Sequence, residues 1–356
     1  MLLETPMKRR KPRRKEFIWV ATLVVAATAA WYFWPRGPKG RPEAATKRTP
    51  RPQTQPKNRG GISTREPKPK APGSNERETP SIPSGEVLKC YDAGKAAFDN
   101  QPLLARAMLS KALFSNKLPT EWADDARSRL TYLARRTLLD PAAAFNPRKD
   151  PYTRKYTFQS GETITRIERK VALHVPPQLI LKINHLAAAK QFQAGRTYKL
   201  INGPFHAIVY KSKFVMDVYL HRRQDNLPKV FIKRYRVGLG ASGSTPVGRW
   251  RLGCGADGET GKVVRPRWYP PPSSEQTTPL SYGQPGYPFG VKGLWIGLVG
   301  LDEYTKSITG FGIHSTDEPN SIGKEASLGC IRLSDDDIEE VYSMLYEFWS
   351  TVEVRP

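Results

Sequence analysis

The stretch that decides the fold begins Gly312-Ile313-His314-Ser315-Thr316 and runs through an acidic loop. It closes with Ser327-Leu328-Gly329-Cys330-Ile331-Arg332-Leu333. One His stands 16 positions before one Cys, and glycines punctuate both ends. A thiol is the strongest side-chain nucleophile at neutral pH, but only as thiolate, so it needs a base or a positive field beside it. The residues from Thr309 to Ile313 and from Ala326 to Leu333 predict two adjacent strands. The acidic loop between them would let the His314 imidazole meet the Cys330 sulfur. Gly329 allows a substrate carbonyl to come close, which makes the N–H groups of Gly329 and Cys330 candidate oxyanion donors. The Ser315 carbonyl is placed to orient the imidazole. The competing reading is a buried Cys beside an unrelated loop His.

The pattern resembles the signature of the YkuD-type L,D-transpeptidases, roughly H-G-T…S-H-G-C-I-R-L. Two positions depart from it. Ser315 stands for the usual Gly, and Leu328 for the second His, which in the family supports the nucleophile. Further parts of the family pattern lie upstream. Val237-Gly238-Leu239-Gly240 followed by Ser244-Thr245-Pro246-Val247-Gly248-Arg249-Trp250 resembles its "TPxG" hairpin, a strand–turn–strand unit. Arg267-Trp268-Tyr269-Pro270-Pro271 and Tyr287-Pro288-Phe289-Gly290 resemble its "nPxWyxPP" and "NPLG" segments.

The resemblance implies a mainly β catalytic domain, the L,D-transpeptidase β-sandwich, over residues 205–356. It implies Cys330 as nucleophile, His314 as base and Ser315 as the residue orienting that base. The substrate implied is a peptidoglycan stem peptide. Cys330 forms a thioester at the third residue, the terminal D-Ala leaves, and a neighbouring stem amine resolves the thioester as a crosslink. Gly329 and Cys330 hold the oxyanion. Arg332 pairs with a stem carboxylate or with an acid of its own domain. Trp268 and the segment Pro270 to Pro288 form a lid. No cofactor and no metal are implied, and carbapenem-type inhibitors are expected to acylate Cys330. Alternatives are an L,D-carboxypeptidase with water as acceptor, an enzyme tethering proteins to peptidoglycan, and an inactive wall-binding anchor, which Leu328 would favour.

The N-terminus predicts where this chemistry happens. The chain of 356 residues carries a net charge of +24, and seven basic residues fall within residues 1–16. Phe17 to Trp34 follows without a charged residue, long enough to span a bilayer as one helix. A basic flank before an apolar run predicts a cytoplasmic N-terminus. The aromatic close Trp31-Tyr32-Phe33-Trp34 predicts an uncleaved anchor in the inner membrane, with the remainder in the periplasm or wall space. Ala27-Thr28-Ala29 also fits a signal-peptide cleavage site. The positive charge sits in this flank and in the linker, without a nucleic-acid motif, so no nucleic-acid partner is expected.

Residues 35–85 read as a disordered linker rich in Pro, Lys and Arg, unable to bury enough surface to offset its ordering entropy. Residues 86–150 carry apolar residues at helical spacing in three runs and read as a helical segment that resembles tetratricopeptide units. From Lys155 to Leu200, the entry Tyr156-Thr157-Phe158-Gln159-Ser160-Gly161-Glu162-Thr163-Ile164 and the exit Gly195-Arg196-Thr197-Tyr198-Lys199-Leu200 resemble a LysM module. That implies a βααβ unit and affinity for glycan strands. The cysteines are Cys90, Cys254 and Cys330. An odd count in an exported chain points to a free thiol, and Cys330 is the candidate. Asp335, Asp336 and Asp337 read as the acidic first turn of a helix rather than a metal site.

Overall fold

The structure, a computed structural model, describes residues 84–140, 150–253, 261–271 and 274–356. The expected anchor, all but the last residues of the expected linker, and Cys254 lie outside the described residues. Among the described residues no helix is long and apolar enough to cross a membrane. All of them fall in one compact unit, Asn75–Pro356.

Three helices open the described chain: α1 (Ser84–Ala96), α2 (Pro102–Phe114) and α3 (Thr120–Ala134). The expected linker therefore ends earlier than Gly85, because Ser84 and Gly85 already turn as helix. Gly94 lets α1 and α2 touch: a Cβ there would lie 2.6 Å from the Leu109 side chain. Next comes β1 (Thr153–Thr157), α4 (Ile164–Lys170), α5 (Pro177–Lys182) and β2 (Thr197–Ile201). Strands β1 and β2 pair antiparallel with Tyr156 opposite Tyr198. The Thr163 hydroxyl caps α4 by accepting the Arg166 N–H.

The remaining strands are β3 (Phe205–Tyr210), β4 (Val215–Leu220), β5 (Val230–Arg236), β6 (Leu239–Gly240), β7 (Gly248–Leu252), β8 (Gly261–Val264), β9 (Leu294–Gly300), β10 (Gly312–Ser315), β11 (Glu325–Ser327), β12 (Ile331–Leu333) and β13 (Thr351–Arg355). A mixed sheet runs β12-β10-β9-β7-β13-β3-β4-β5, with β8 also on β9. Helix α6 (Asp335–Met344) follows β12. Its cap is Ser334, whose hydroxyl accepts the Asp337 N–H, so the three acids occupy the first turn, where the helix dipole favours them. Lys233 of β5 reaches Glu340 of α6 at 2.8 Å. The sheet thus curls so that α6 meets strands from both of its ends.

Two expectations fail here. The Ser244–Trp250 region is not a hairpin, since β6 pairs in parallel with β11 while β7 lies between β13 and β9. The turn between them crosses from one sheet to the other, held by the Lys211 ammonium on the carbonyls of Gly243 and Thr245. Likewise residues 326–333 are not one strand. The chain breaks at Leu328–Cys330, giving β11 to one sheet and β12 to the other.

Packing joins the parts. Phe231 on β5 is buried in the core of the helices, whereas Val230 and Ile232 are buried in the main core. That alternation is the period of two expected of a strand covered on both faces. The helices thereby shield an edge strand of the sheet. Ile167, Leu173, Val175 and Leu200 of the βααβ unit share one continuous core with Trp250, Ile313 and Val354. A buried ion pair, Arg106 to Asp150 at 2.8 Å, ties α2 to the entry of β1. Arg106 also donates to the Thr137 hydroxyl, so the charge is hydrogen-bonded as burial requires.

Candidate functional site

Strands β10 and β12 bring the sequence motif together. They pair in parallel with Ile313 opposite Ile331 and His314 opposite Arg332. Cys330 sits just before β12 at the end of the broken segment and is half-buried. Gly329 has φ +135°, a backbone state that side-chain-bearing residues rarely adopt. A glycine is therefore needed there to turn the chain so that the thiol faces the cavity.

Two hydroxyls fix this turn. Ser327 donates to the Cys330 carbonyl at 2.6 Å and accepts the Gly329 N–H at 3.2 Å. Thr245 donates to the Gly329 carbonyl at 2.8 Å and accepts the Gly240 N–H at 2.7 Å. The Gly329 amide, expected as an oxyanion donor, is thus occupied in the resting site. Ser327 and Thr245 were quoted in the sequence motifs but given no role. Ser327 stands two positions before Gly329, which was the available signal for it; Thr245 lies 84 positions from Gly329 and had no local signal.

His314 is almost fully buried on β10, next to Trp295 of β9. Phe289 meets its ring edge-on at 4.8 Å between centroids, and Trp295 stacks on it at 5.8 Å. This burial pushes the imidazole pKa down to about 4; the Ser315 carbonyl opposes the shift and Arg332 adds to it. Nδ1 lies 2.6 Å from the Ser315 carbonyl oxygen. A carbonyl only accepts, so Nδ1 carries the proton and Nε2 keeps its lone pair. The Ser315 hydroxyl donates to the Phe289 carbonyl and accepts the Leu294 N–H at 3.2 Å. The residue in place of the usual Gly therefore binds the Phe289 turn to the imidazole.

Burial also pushes the Cys330 thiol up to about 11, while the Gly312 backbone and Arg332 pull the other way. The resting thiol donates to the Gly310 carbonyl at 3.6 Å. Among the described residues no hydrogen bond joins it to His314, contrary to the direct contact expected. At neutral pH the site therefore rests as neutral imidazole and neutral thiol.

Cys330 and His314 line the same pocket, of about 580 Å³. Trp268, Pro271 and Pro288 form part of its wall. Trp268 is pinned by reciprocal backbone bonds to Leu280, at 2.8 and 2.9 Å, and packs against the buried trio Tyr287, Phe289 and Trp295. Leu328 lies at the mouth, 57% exposed. Arg332 also lines the pocket but pairs with Glu318 of its own domain. Of the two partners expected for it, the structure places the internal one. His174 is buried and stacks on Trp349 at 3.5 Å, and Cys90 lies in the helical core. Among the described residues no cluster of His, Cys, Asp or Glu could hold a metal ion.

Residues 204–354 match the family model of the L,D-transpeptidase catalytic domain, YkuD. Three solved structures share weak likeness with the chain. One is an L,D-transpeptidase from Mycobacterium smegmatis, at 15% identity over 46% of this chain and 64% of that one, with a TM-score of 0.31. Another is L,D-transpeptidase 3 from Mycobacterium tuberculosis in complex with a faropenem-derived adduct, at 17% identity, over 46% and 65%, with a TM-score of 0.30. The third is the helical cell shape determining protein Pgp2 from Campylobacter jejuni, at 16% identity, over 43% and 47%, with a TM-score of 0.29. The chain spans about half to two thirds of the length of these structures. No curated protein matches the sequence.

Proposed function

We propose that the protein is a peptidoglycan L,D-transpeptidase that acts through a Cys330 thioester. The observation that carries this reading is the state of His314. Its Nδ1–H is committed to Ser315, which leaves the Nε2 lone pair in the pocket that also holds the Cys330 thiol.

The chemistry follows from the resting charges. With the thiol near 11 and the imidazole near 4, a thiolate–imidazolium pair is not stored. The proton must pass to His314 Nε2 as the sulfur attacks the carbonyl of the third stem residue, where the developing oxyanion and the imidazolium stabilise each other's formation. The Cys330 N–H is the oxyanion donor at hand, and the Gly329 N–H joins it on release from Ser327. His314 then returns the proton to the departing D-Ala amine, and the C–N bond breaks to leave a thioester. An amine of a neighbouring stem attacks that thioester. Its proton passes through His314 to the sulfur, a new amide forms, and the thiol is restored. Apolar walls from Trp268 and Phe289 limit water at the acyl-enzyme. No metal or cofactor takes part in this scheme.

Residues 155–200 act in the same reading as a LysM module holding the glycan strand. The antiparallel β1–β2 pair enclosing two helices supports this, together with the Gly-marked entry and exit. Residues 17–34 serve as a single inner-membrane anchor, which places the site in the periplasm or wall space. The basic flank and uncharged apolar run support that assignment. Carbapenem-type inhibitors acylate Cys330.

The test is mass spectrometry of products from disaccharide tetrapeptide incubated with the full chain. Crosslinked dimers lacking one D-Ala are expected, and Cys330→Ser should form none. Dimers formed by that variant would remove the thioester mechanism. Tripeptide alone from the wild type would make the enzyme a carboxypeptidase.

A further inference from the structure

Leu328 stands two positions before Cys330, in the break between β11 and β12. It lines the pocket that holds Cys330 and His314, and its side chain is exposed rather than packed in a core. Its place is fixed by its neighbours. The Ser327 hydroxyl donates to the Cys330 carbonyl and accepts the Gly329 N–H, and Thr245 donates to the Gly329 carbonyl. The backbone is therefore clamped on both sides of Leu328, and the fold does not need an isobutyl group there. Tyr304 and Ile308, from the connection between β9 and β10, line the same pocket. Apolar side chains thus reach it from these two segments as well as from Trp268 and Phe289.

This placement bears on the second half of the reaction, where the thioester has two rival acceptors. An amine forms a C–N bond, and water forms a C–O bond that ends as a carboxyl group. In both routes the C–S bond breaks and a proton of the acceptor passes through His314 to the sulfur. Water is far more concentrated than any stem amine, so an enzyme that makes crosslinks must disfavour water where acceptors arrive. An apolar side chain at the mouth offers water no hydrogen bond. It gives an incoming stem a surface to cover, and covering it removes water from beside the thioester. Desolvation at such a mouth also disfavours the ammonium form of the acceptor and so supplies the neutral, nucleophilic amine.

We propose that Leu328 is a specificity residue that steers the Cys330 thioester to an amine acceptor and away from water. The inference rests on the transpeptidase reading and deepens it, from how the thioester forms to which nucleophile resolves it. The sequence marks Leu328 only as a departure from the motif. Its exposure at the mouth, on a clamped turn beside the nucleophile, gives that departure a chemical meaning.

The test measures crosslinked dimer against free tripeptide by mass spectrometry, from one incubation of disaccharide tetrapeptide with the full chain. Both products drain the same thioester, so their ratio does not depend on how fast the thioester forms. Leu328→Ser and Leu328→Asn should raise tripeptide relative to dimer by about tenfold, whereas Leu328→Met should keep the wild-type ratio. Calorimetric melting checks that each variant is folded. A parallel arm follows the carbapenem adduct on Cys330 by intact-protein mass, which needs no acceptor; the adduct should decay sooner in the two polar variants. An unchanged ratio, or an adduct of wild-type lifetime, in both polar variants overturns the Leu328 assignment alone. Unfolding of both does the same, since Leu328 would then hold the turn. Tripeptide without dimer from the wild type, with the adduct formed, overturns the transpeptidase reading and the Leu328 assignment but leaves the thioester. Neither product nor adduct from the wild type overturns the thioester itself.

Discussion

Ser315→Ala is the most informative single change, because this hydroxyl links the stability of the sheet to the state of His314, the proposed base. The substitution keeps the backbone carbonyl that holds His314 Nδ1 and removes only Oγ. Two partners lose a bond, but unequally. The Phe289 carbonyl still accepts the Gly293 N–H at 3.1 Å, so it remains satisfied. The Leu294 N–H loses its Oγ partner in a buried position. An orphaned buried donor costs about 1–3 kcal/mol. At about 2–4 °C per kcal/mol for a domain of this size, the melting temperature should fall by about 2–12 °C. The Phe289 ring then loses one of its anchors above the imidazole. Water reaching His314 would raise its pKa from about 4 towards the ordinary value. The acid limb of Cys330 acylation by a carbapenem should move to higher pH, with the plateau rate about tenfold lower as the base loses alignment. Stopped-flow acylation across pH, beside calorimetric melting, reads both effects. A melting temperature within about 1 °C of wild type, with an unmoved acid limb, would show that the hydroxyl neither supports the turn nor protects the base.

Three further outcomes follow from the packing and the charges. Phe231→Ala should cost about 3–5 kcal/mol and expose residues 84–140 to proteolysis, since this ring is fully buried in the helical core; wild-type stability in urea would show that the helices do not brace the sheet. Acidification should destabilise the fold, because burial holds the pKa of His206 down to about 3 and that of His314 down to about 4. The unfolded chain binds protons from about pH 6.5, the native chain only lower, so stability present above pH 6.5 is lost as pH falls towards 4, by about 2 kcal/mol per histidine at pH 5. Equal urea midpoints at pH 7.5 and 5 would contradict that. Finally, the full chain should pellet with purified peptidoglycan even in molar salt, where attraction between exposed charges is screened within about 3 Å. Release by salt would assign the affinity to the basic surface and remove the glycan-binding role of residues 155–200.

That last experiment uses the whole chain for a structural reason. The sequence suggests modules in series, each removable. Instead Ile167 and Leu200 of the βααβ unit and Phe231 of the sheet are buried in cores shared across the expected boundaries. Cutting at any of them would expose apolar surface that one part cannot cover alone.

That His314 and Cys330 belong to one site was legible without coordinates, and both line the same pocket. A Gly before a Cys, a His sixteen positions upstream and Pro/Gly turns between apolar runs carry local chemical constraints, and local constraints are written in neighbouring residues. The three helical runs and the alternating entry to the βααβ unit were readable for the same reason, through periodicity. The tertiary structure decided what depends on partners distant in sequence. Thr245 reaches Gly329 across 84 positions. Arg332 finds Glu318, and the Gly329 amide meets Ser327 instead of standing free. The protonation state of the site belongs to this second class. Neither His314 nor Cys330 carries its shifted pKa in its own neighbourhood of sequence. Burial beneath Phe289 and Trp295, brought in from other strands and turns, removes the water that would have stabilised either charge.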